Sequence, residues 1–179
     1  PGTLSSLVWV AGDKGLVYSL ANEQWRTDNA RLHWLGQPLD QDIELYHEDD
    51  EGFRVGSSLS ANEQWLIIGS SDHETSEVRL VPAADPLSPP ILVKPRQTGV
   101  EYDVDLRDDT LFVHTNDEHV NFRLATASLD KPGEWTTLIG GSDVDTITLG
   151  ATVSSASIDL AAGADVLTLA AGANTATIA

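Results

Sequence analysis

Residues 61–68 (ANEQWLII) place a polar turn directly before a short apolar strand. The same order of turn and strand occurs earlier, at residues 12–18 (GDKGLVY), and later, at residues 108–113 (DDTLFV). The three segments recur at an interval of about 46 residues, and a period of about 20–50 residues is typical of repeat architectures. They predict a chain that uses one strand-rich unit three times.

Each predicted unit contains three more short strands around this segment. The opening strands lie at residues 7–10, 53–55 and 100–104, the third strands at residues 31–35, 77–81 and 121–125, and the fourth strands at residues 43–46, 91–94 and 135–139. Four short strands per unit, separated by turns rich in Gly, Asn, Asp and Pro, are the pattern of a β-propeller blade. A β-sandwich has similar strands but lacks this regular internal similarity.

The predicted fold class is therefore all-β, with a partial β-propeller of about three four-stranded antiparallel blades over residues 1–139. Three blades do not close a ring, since propellers typically have about four to eight. The outer blades would leave strand edges uncovered, which natural proteins usually avoid. Because Pro1 stands where Met is expected and no signal pattern follows, we expect a processed, trimmed or excised chain.

The composition of the 179-residue chain excludes several classes of function. It has 28 Asp and Glu against 10 Lys and Arg, a formal net charge of −18, so nucleic acid is not an expected partner. No Cys is present, which excludes disulfides and thiolate metal sites. No apolar run approaches the roughly 18 residues that span a bilayer, so we expect no membrane span.

Several short motifs run in order along about three quarters of the chain. They are residues 33–36 (HWLG), 45–50 (LYHEDD), 75–80 (TSEVRL), 84–86 (ADP), 95–96 (PR), 99–104 (GVEYDV), Asn116 and 121–125 (NFRLA). Together these motifs resemble the oligopeptidase B (protease II) branch of the prolyl oligopeptidase family, although Trp34 stands where that family usually has a basic residue.

The resemblance implies a serine peptidase with a seven-bladed propeller over an α/β-hydrolase domain that carries Ser, Asp and His. In that family the propeller limits entry to short peptides, and oligopeptidase B members cut after Arg or Lys. The segments that match here correspond to middle blades of the propeller. Short basic peptides are then the expected partners of the intact peptidase.

No catalytic residue is predicted in this chain itself. A nucleophile elbow needs Gly-x-Ser-x-Gly, because small flanking residues permit its strained turn. The near matches at residues 56–60 (GSSLS), 69–73 (GSSDH) and 140–144 (GGSDV) each lack the last Gly. The alternating strands and long helices of an α/β-hydrolase domain are also missing, so we expect neither enzymatic activity nor a required cofactor.

Residues 140–179 have a different composition, with no Lys, Arg, Glu, Pro or aromatic residue. Short strands are predicted at residues 146–149, 156–158, 166–169 and 176–178. They recur with two strands in each coil of about twenty residues, the geometry of a short parallel β-roll or solenoid. We therefore predict a second domain over these residues.

Residues 140–148 (GGSDVDTIT) resemble the nonapeptide of RTX-type repeats, which bind Ca²⁺ between adjacent coils. The candidate calcium ligands are Asp143, Asp145 and Asp165. Calcium requires about six to eight oxygen ligands, and these turns offer few carboxylates. A solenoid without calcium is therefore the favoured alternative.

Other polar and aromatic residues have structural interpretations. His114 and His119 flank a predicted hairpin turn, and His73 lies in the matching turn of the second unit. The acidic run at residues 48–51 (EDDE) is interpreted as a solvated loop. Blade packing is expected to explain most of the five Trp residues.

Glu77 and Arg79 lie two residues apart on one face of a predicted strand, where a structural role between blades is favoured over substrate contact.

Three hypotheses for function remain open. The first is a non-catalytic propeller fragment fused to a β-roll, with a structural or assembly role. The second is part of an active peptidase whose hydrolase domain lies outside this chain, located in the cytoplasm or periplasm. The third is a protein that self-associates through open strand edges, and a dominant β-roll would favour the cell surface or the exterior.

Overall fold

The computed structural model describes residues 7–118 and 120–139, and four strands between residues 146 and 178. These parts are all-β apart from one short 3-10 helix, Leu39–Gln41. The first twelve strands are β1 (Val8–Val10), β2 (Gly15–Tyr18), β3 (Asn29–Trp34), β4 (Ile43–His47), β5 (Arg54–Leu59), β6 (Trp65–Ser71), β7 (Ser76–Pro82), β8 (Ile91–Leu92), β9 (Tyr102–Arg107), β10 (Thr110–Thr115), β11 (Arg123–Ser128) and β12 (Thr136–Ile139). No helix in this part of the chain has the length and apolar character needed to cross a membrane.

The twelve strands form three antiparallel four-stranded sheets, in the orders β1-β2-β3-β4, β5-β6-β7-β8 and β9-β10-β11-β12. We call them blade 1, blade 2 and blade 3. Buried and exposed residues alternate along β10, because successive side chains of a strand point to opposite faces of the sheet. One face of this sheet is therefore packed and the other is open. The predicted three-blade, all-β fold is therefore confirmed.

Two apolar cores hold neighbouring blades together. Between blades 1 and 2 the fully buried side chains include Val17, Leu32, Leu66 and Ile68. Between blades 2 and 3 they include Leu80, Leu106, Leu111 and Val113. Burial of each such side chain stabilises the fold by about 1.5–3 kcal/mol, so blade 2, which is covered on both faces, is held most firmly.

The Trp residues divide into two groups. Trp34, Trp65 and Trp135 pack against the two cores, as predicted. Trp9 is 49% exposed and Trp25 is 71% exposed, so packing between these blades does not explain them.

All segments that lead from one blade to the next lie at one end of the sheets. Residues 48–53 connect β4 to β5, and residues 93–101 connect β8 to β9. The hairpins between second and third strands reach the same end, because strands alternate in direction. We call this end, with its connecting segments and hairpins, the linker end.

Four further strands follow blade 3, namely β13 (Thr146–Thr148), β14 (Ser154–Ile158), β15 (Val166–Thr168) and β16 (Thr175–Ile178). β13 pairs in parallel with β15, and β14 with β16, with Thr146 opposite Val166 and Ile158 opposite Ile178. The segments that connect these strands lie outside the described residues, as do Asp143, Asp145 and Asp165. The β-roll assignment, the domain boundary after residue 139 and the calcium site therefore stay predictions.

Candidate functional site between the blades

Glu48 is the centre of a charged cluster at the linker end, between blades 1 and 2. It follows β4 and is only 4% exposed. Its carboxylate accepts hydrogen bonds from the hydroxyls of Tyr46 at 2.7 Å and Ser70 at 2.5 Å, and from the Asp50 amide at 3.0 Å. The interpretation of residues 48–51 as a solvated loop is wrong for Glu48, because the blade 2 sheet closes over it.

Arg96 joins Glu48 to Glu77. Its Nη2 atom lies 2.5 Å from Glu48 Oε2 and 3.3 Å from Glu77 Oε1, and its amide donates to Glu77 Oε2 at 2.9 Å. The guanidinium of Arg96 also lies over the ring of Phe53, 4.1 Å from the centroid. The cluster thus ties the segment after blade 1 to the segment after blade 2.

Arg79 completes the cluster from the third strand of blade 2. Its guanidinium contacts Glu77 at 2.7 Å and lies over the ring of Tyr46 in blade 1, 4.3 Å from the centroid. Glu77 and Arg79 therefore contribute to the junction between blades, in agreement with the structural interpretation of their spacing.

The electrostatics of this cluster suit a structural role better than proton transfer. Burial disfavours the charged form of Glu48, but hydrogen bonds from Arg96, Ser70 and Tyr46 outweigh it and lower the pKa to about 2. Burial likewise opposes ionisation of Glu77, and hydrogen bonds from Arg96 and Arg79 lower its pKa. A general acid or base at neutral pH needs a pKa near 7, so neither carboxyl suits that task.

Arg26 holds the blade 1 hairpin against the first connecting segment. It is 8% exposed, and its Nη1 atom donates to the carbonyl oxygens of Asp50 at 2.7 Å and Phe53 at 3.3 Å. Its Nη2 atom lies 3.5 Å from the carboxylate of Asp28. The preceding residue, Trp25, has φ of 61°, a left-handed conformation that is unusual for a bulky residue.

The junction between blades 2 and 3 uses a different set of residues. Lys94 Nζ lies 3.8 Å from the ring centroid of Trp135 and 3.6 Å from the carboxylate of Asp117. Arg123 donates to both oxygens of Asp117, at 2.9 and 3.0 Å, and its Nη1 donates to the hydroxyl of Thr137. Burial opposes ionisation of Asp117, but Arg123 and then Lys94 lower its pKa.

Tyr102 links the same two blades through its hydroxyl. The hydroxyl donates to the Lys94 carbonyl at 2.6 Å and accepts from the Val78 amide at 2.9 Å. Burial is the main cause that raises its pKa to about 12.

A second polar cluster lies within blade 1. Asp42 accepts a hydrogen bond from Tyr18, and its Oδ1 lies 2.7 Å from Nδ1 of His33. Arg31 donates to the Asp42 carbonyl at 2.8 Å. Burial opposes ionisation of Asp42, but the bonds from Tyr18 and His33 lower its pKa.

An Asp–His pair also occurs in serine-peptidase triads, but that chemistry needs a hydroxyl nucleophile beside the imidazole. The serines at the nucleophile position of the near matches, Ser58 and Ser71, lie on β5 and β6 of blade 2, whereas His33 belongs to blade 1. Ser142 lies outside the described residues. The expected lack of a triad stays a prediction.

The remaining predicted histidine positions lie in or beside hairpins. His114 is on β10 and stacks on Phe122 with ring centroids 4.7 Å apart, and His73 lies in the turn between β6 and β7. His119 is outside the described residues. Within the described ranges, no group of three His, Cys, Asp or Glu side chains is placed to hold a metal ion.

Two open grooves run along the first strands of the blades. The first, of about 620 Å³, lies between β1 and β5, with Trp9, Ser58 and the acidic Asp13 and Glu63 in its lining. The second, of about 480 Å³, lies between β5 and β9. Each groove thus lies between the first strands of two adjacent blades. In a propeller the blades surround a central channel, and the surface formed by these first strands is the one that faces it.

The chain matches the profile of the family described as prolyl oligopeptidase, N-terminal β-propeller domain, over residues 2–169. It is 30% identical over 125 residues to Protease 2 of Moraxella lacunata, a match that covers 70% of this chain and 18% of the relative. It is 33% identical over 127 residues to dipeptidyl aminopeptidase BI of Pseudoxanthomonas mexicana, covering 70% of this chain and 17% of the relative. The chain thus spans about a fifth of the length of these relatives.

Solved structures of oligopeptidase B are also similar to this chain in fold and sequence. Oligopeptidase B from Trypanosoma brucei superposes with a TM-score of 0.74 at 35% identity, over 78% of this chain and 20% of that one. Oligopeptidase B from Leishmania major superposes with a TM-score of 0.73 at 30% identity, over 76% of this chain and 20% of that one.

Proposed function

The chain belongs to the prolyl oligopeptidase family, within its N-terminal β-propeller domain, and we propose that its own role is structural and non-catalytic. Its three blades form part of a propeller wall around a central channel and offer surfaces for assembly. The β-roll predicted for residues 140–179 extends this scaffold.

The observation that carries this proposal is the use of buried charge at the blade junctions. Glu48 and Arg123 are each only 4% exposed, and both are fully engaged in contacts that hold connecting segments and hairpins in place. Buried ion pairs of this kind give a defined geometry between elements. Their lowered carboxyl pKa values support positioning over acid–base chemistry.

Hydrolysis assays test the non-catalytic role. The pure chain is incubated with Arg-linked and Lys-linked fluorogenic peptides and, separately, with a fluorophosphonate probe that labels nucleophilic serines. Oligopeptidase B from Trypanosoma brucei serves as the positive control. We expect neither peptide release nor labelling, and either signal from the pure chain would overturn the proposal.

A second candidate is a segment of a serine peptidase whose hydrolase domain lies outside these 179 residues. It is supported by the small share of each relative that the chain covers, 18% of Protease 2 and 17% of dipeptidyl aminopeptidase BI. The net charge of −18 would also attract short basic peptides.

Reading the coding DNA on both sides of the codons for Pro1 and Ala179 tests this candidate. Further blades and an in-frame domain with Gly-x-Ser-x-Gly would support it. A stop codon soon after Ala179 would contradict it and would leave the scaffold role.

A further inference from the structure

Two glycines lie opposite each other in blade 2. Gly56 of β5 pairs with Gly69 of β6, and the two strands pair without a bulge along the whole length of β5. A glycine inside a strand weakens it, because glycine loses more conformational freedom on folding than any other residue and has no side chain to pack. Two of them at one pair therefore need a physical reason.

The local reasons for a glycine do not apply to this pair. Among the described residues, the glycines with positive φ are Gly12, Gly36 and Gly99, so neither Gly56 nor Gly69 has a left-handed backbone. Crowding is not the reason either, because a Cβ atom at either position would have no described atom within 4 Å beyond its own chain neighbours. Strand glycines also occur where a ligand or another backbone approaches closely, and this reason remains.

Blade 3 shows that the blade architecture accepts side chains at this pair. The second strands of the two blades align at Leu66 and Leu111, which are both fully buried and both pair with a leucine of the first strand. Three pairs further along, blade 2 has its two glycines, whereas blade 3 has Asp103 opposite His114. The glycine pair is therefore a feature of blade 2 and not a requirement of the fold.

Both glycines line the second groove, of about 480 Å³, between blades 2 and 3. We call it the glycine groove. Ile67, Val78 and Val104 also line it, and Ile67 and Val104 are half-buried side chains at the margin of the core between these blades. The volume lies within the range of about 300–1,000 Å³ that is typical of small-ligand sites. The groove thus has the size and the apolar walls of a binding site.

Arg54 gives the glycine groove a positive charge. It precedes Gly56 by two residues on β5, so the two residues share one face of the sheet, and Arg54 is exposed. Its Nη1 atom donates to the main-chain carbonyl oxygens of Glu51 at 3.3 Å and Phe53 at 3.1 Å. In the part of the chain that the structure describes, Arg54 has no carboxylate partner, unlike Arg26, Arg31, Arg79, Arg96 and Arg123.

The acidic residue in the lining, Asp103, does not supply that partner. Tyr102 and Val104, on either side of it, belong to the core between blades 2 and 3, so the Asp103 side chain points to the opposite face of its sheet. There its carboxylate lies 3.7 Å from Nδ1 of His114. The charge of Arg54 is therefore available to a ligand.

We propose that the glycine groove binds the C-terminal residue of a peptide. The main chain of such a residue can lie against the sheet at Gly56 and Gly69, because no Cβ atom holds it away. Its side chain contacts Ile67 and Val104. Its carboxylate accepts hydrogen bonds from Arg54, since the planar guanidinium matches a carboxylate in geometry and charge.

The charge of the whole chain narrows the class of ligand. A formal net charge of −18 repels ligands with several negative charges, such as nucleotides and polyphosphates. A peptide has one carboxylate at its C-terminus, and its amino group and any basic side chains are attracted by the acidic surface. The inference goes beyond the scaffold role, since it gives the wall of the channel a ligand of its own.

Titration of the isotope-labelled chain with short peptides, followed by nuclear magnetic resonance, tests the proposal. The probes are N-acetyl-Ala-Ala-Phe, N-acetyl-Ala-Ala-Leu and N-acetyl-Ala-Ala-Val, each as the free acid and as the C-terminal amide, so that the carboxylate is the only charge that differs. We expect the free acids to shift the amide resonances of Gly56 and Gly69. The amides should bind about tenfold more weakly, because they cannot form the charge-assisted bond to Arg54.

Two variants separate the charge from the shape of the groove. Arg54→Gln should reduce the affinity for each acid about tenfold, to that of its amide. Arg107→Gln is the matched control, because Arg107 is an exposed cation on β9 outside the groove lining, and it should leave both affinities unchanged. Gly69→Val fills the groove and should weaken acid and amide alike by about tenfold or more.

Stability measurements distinguish a ligand site from a structural glycine. The urea midpoint of Gly69→Val should equal or exceed that of the wild type, since valine favours strands and the Cβ atom has space. Gly69→Ala, which adds a single carbon, should keep the fold and weaken binding in the same direction. A lower midpoint in both variants would mean that the fold itself requires the glycine, and this would overturn the proposal.

The titrations can overturn it in three further ways. These are unshifted Gly56 and Gly69 resonances with all three acids, equal affinities for acid and amide, and full binding by Gly69→Val. None of these results changes the outcome of the hydrolysis assay, so failure of the peptide site is distinguishable from failure of the scaffold role.

Discussion

Glu48 and Arg96 lie 48 residues apart in the chain, yet Arg96 Nη2 donates to Glu48 Oε2 at 2.5 Å. Glu48 is in the segment that leaves blade 1, and Arg96 is in the segment that leaves blade 2. The pair therefore joins the segment that precedes blade 2 to the segment that follows it. It can form only when blade 2 is folded between them.

Replacing Glu48 with Gln should destabilise the fold by about 2–4 kcal/mol, because Arg96 loses one of its two carboxylate partners inside the junction. The measurement is the free energy of unfolding in urea, followed by Trp fluorescence. Glu51→Gln is the matched control, since Glu51 is exposed and should change stability by no more than about 0.5 kcal/mol. Equal losses in the two variants would contradict the role of Glu48.

The stability of the protein should also depend on pH through Glu48. Its folded pKa of about 2 lies below the ordinary value of 4.5, so the folded state binds fewer protons between these values than the unfolded state does. The stabilisation is complete above about pH 4.5 and is lost as the pH falls towards about 2.

Urea unfolding at several pH values within this window measures the effect. Because Glu77 and Asp117 also have lowered pKa values, the wild-type slope includes their contributions. Glu48→Gln should therefore show a smaller slope than the wild type but not a flat one. Identical slopes would exclude Glu48 as a contributor.

Asp42→Asn should destabilise blade 1 by about 1.5–3 kcal/mol, since Asp42 is a buried acceptor for both Tyr18 and His33. Asp40→Asn, at an exposed position in the 3-10 helix, is the control. A second readout is the pKa of Tyr18, which burial raises first and the Asp42 carboxylate raises further. Ultraviolet titration should find this pKa lower in Asp42→Asn, and an unchanged titration would argue against the contact.

Arg123→Lys should cost about 1–2 kcal/mol, although it keeps the charge. Lys cannot donate two parallel hydrogen bonds to Asp117 as the guanidinium does at 2.9 and 3.0 Å. Urea unfolding compares it with Arg107→Lys, an exposed position on β9. A loss as small as that of the control would show that the forked geometry contributes little.

The strands could be predicted from the sequence because their signal is local. Alternating apolar residues and turn residues placed β7 at residues 77–81, and it is Ser76–Pro82 in the structure. β5 was predicted only to residue 55 but continues to Leu59. Residues 56–58 (GSS) lack the apolar alternation, and they are strand only because β6 pairs with them.

The junction clusters could not be predicted in the same way. Glu48 is followed by three more acidic residues, and such a run usually indicates solvent exposure. Its burial depends on Ser70 and Arg96, which are distant in sequence, so no local pattern marks it. The sequence shows His residues in the matching hairpins of blades 2 and 3. It does not show that the corresponding hairpin of blade 1 contains a buried Arg26.

The two junctions are held by different residues, and this restricts how such a chain could evolve. Suppose that gene duplication inserted a copy of blade 2 after blade 2. Lys94 of the original would then face the copy and lose Asp117, while Arg96 of the copy would lose Glu48. Each blade is therefore specific to its neighbours, and growth by duplication would require compensating changes at both new contacts before the longer protein could fold well.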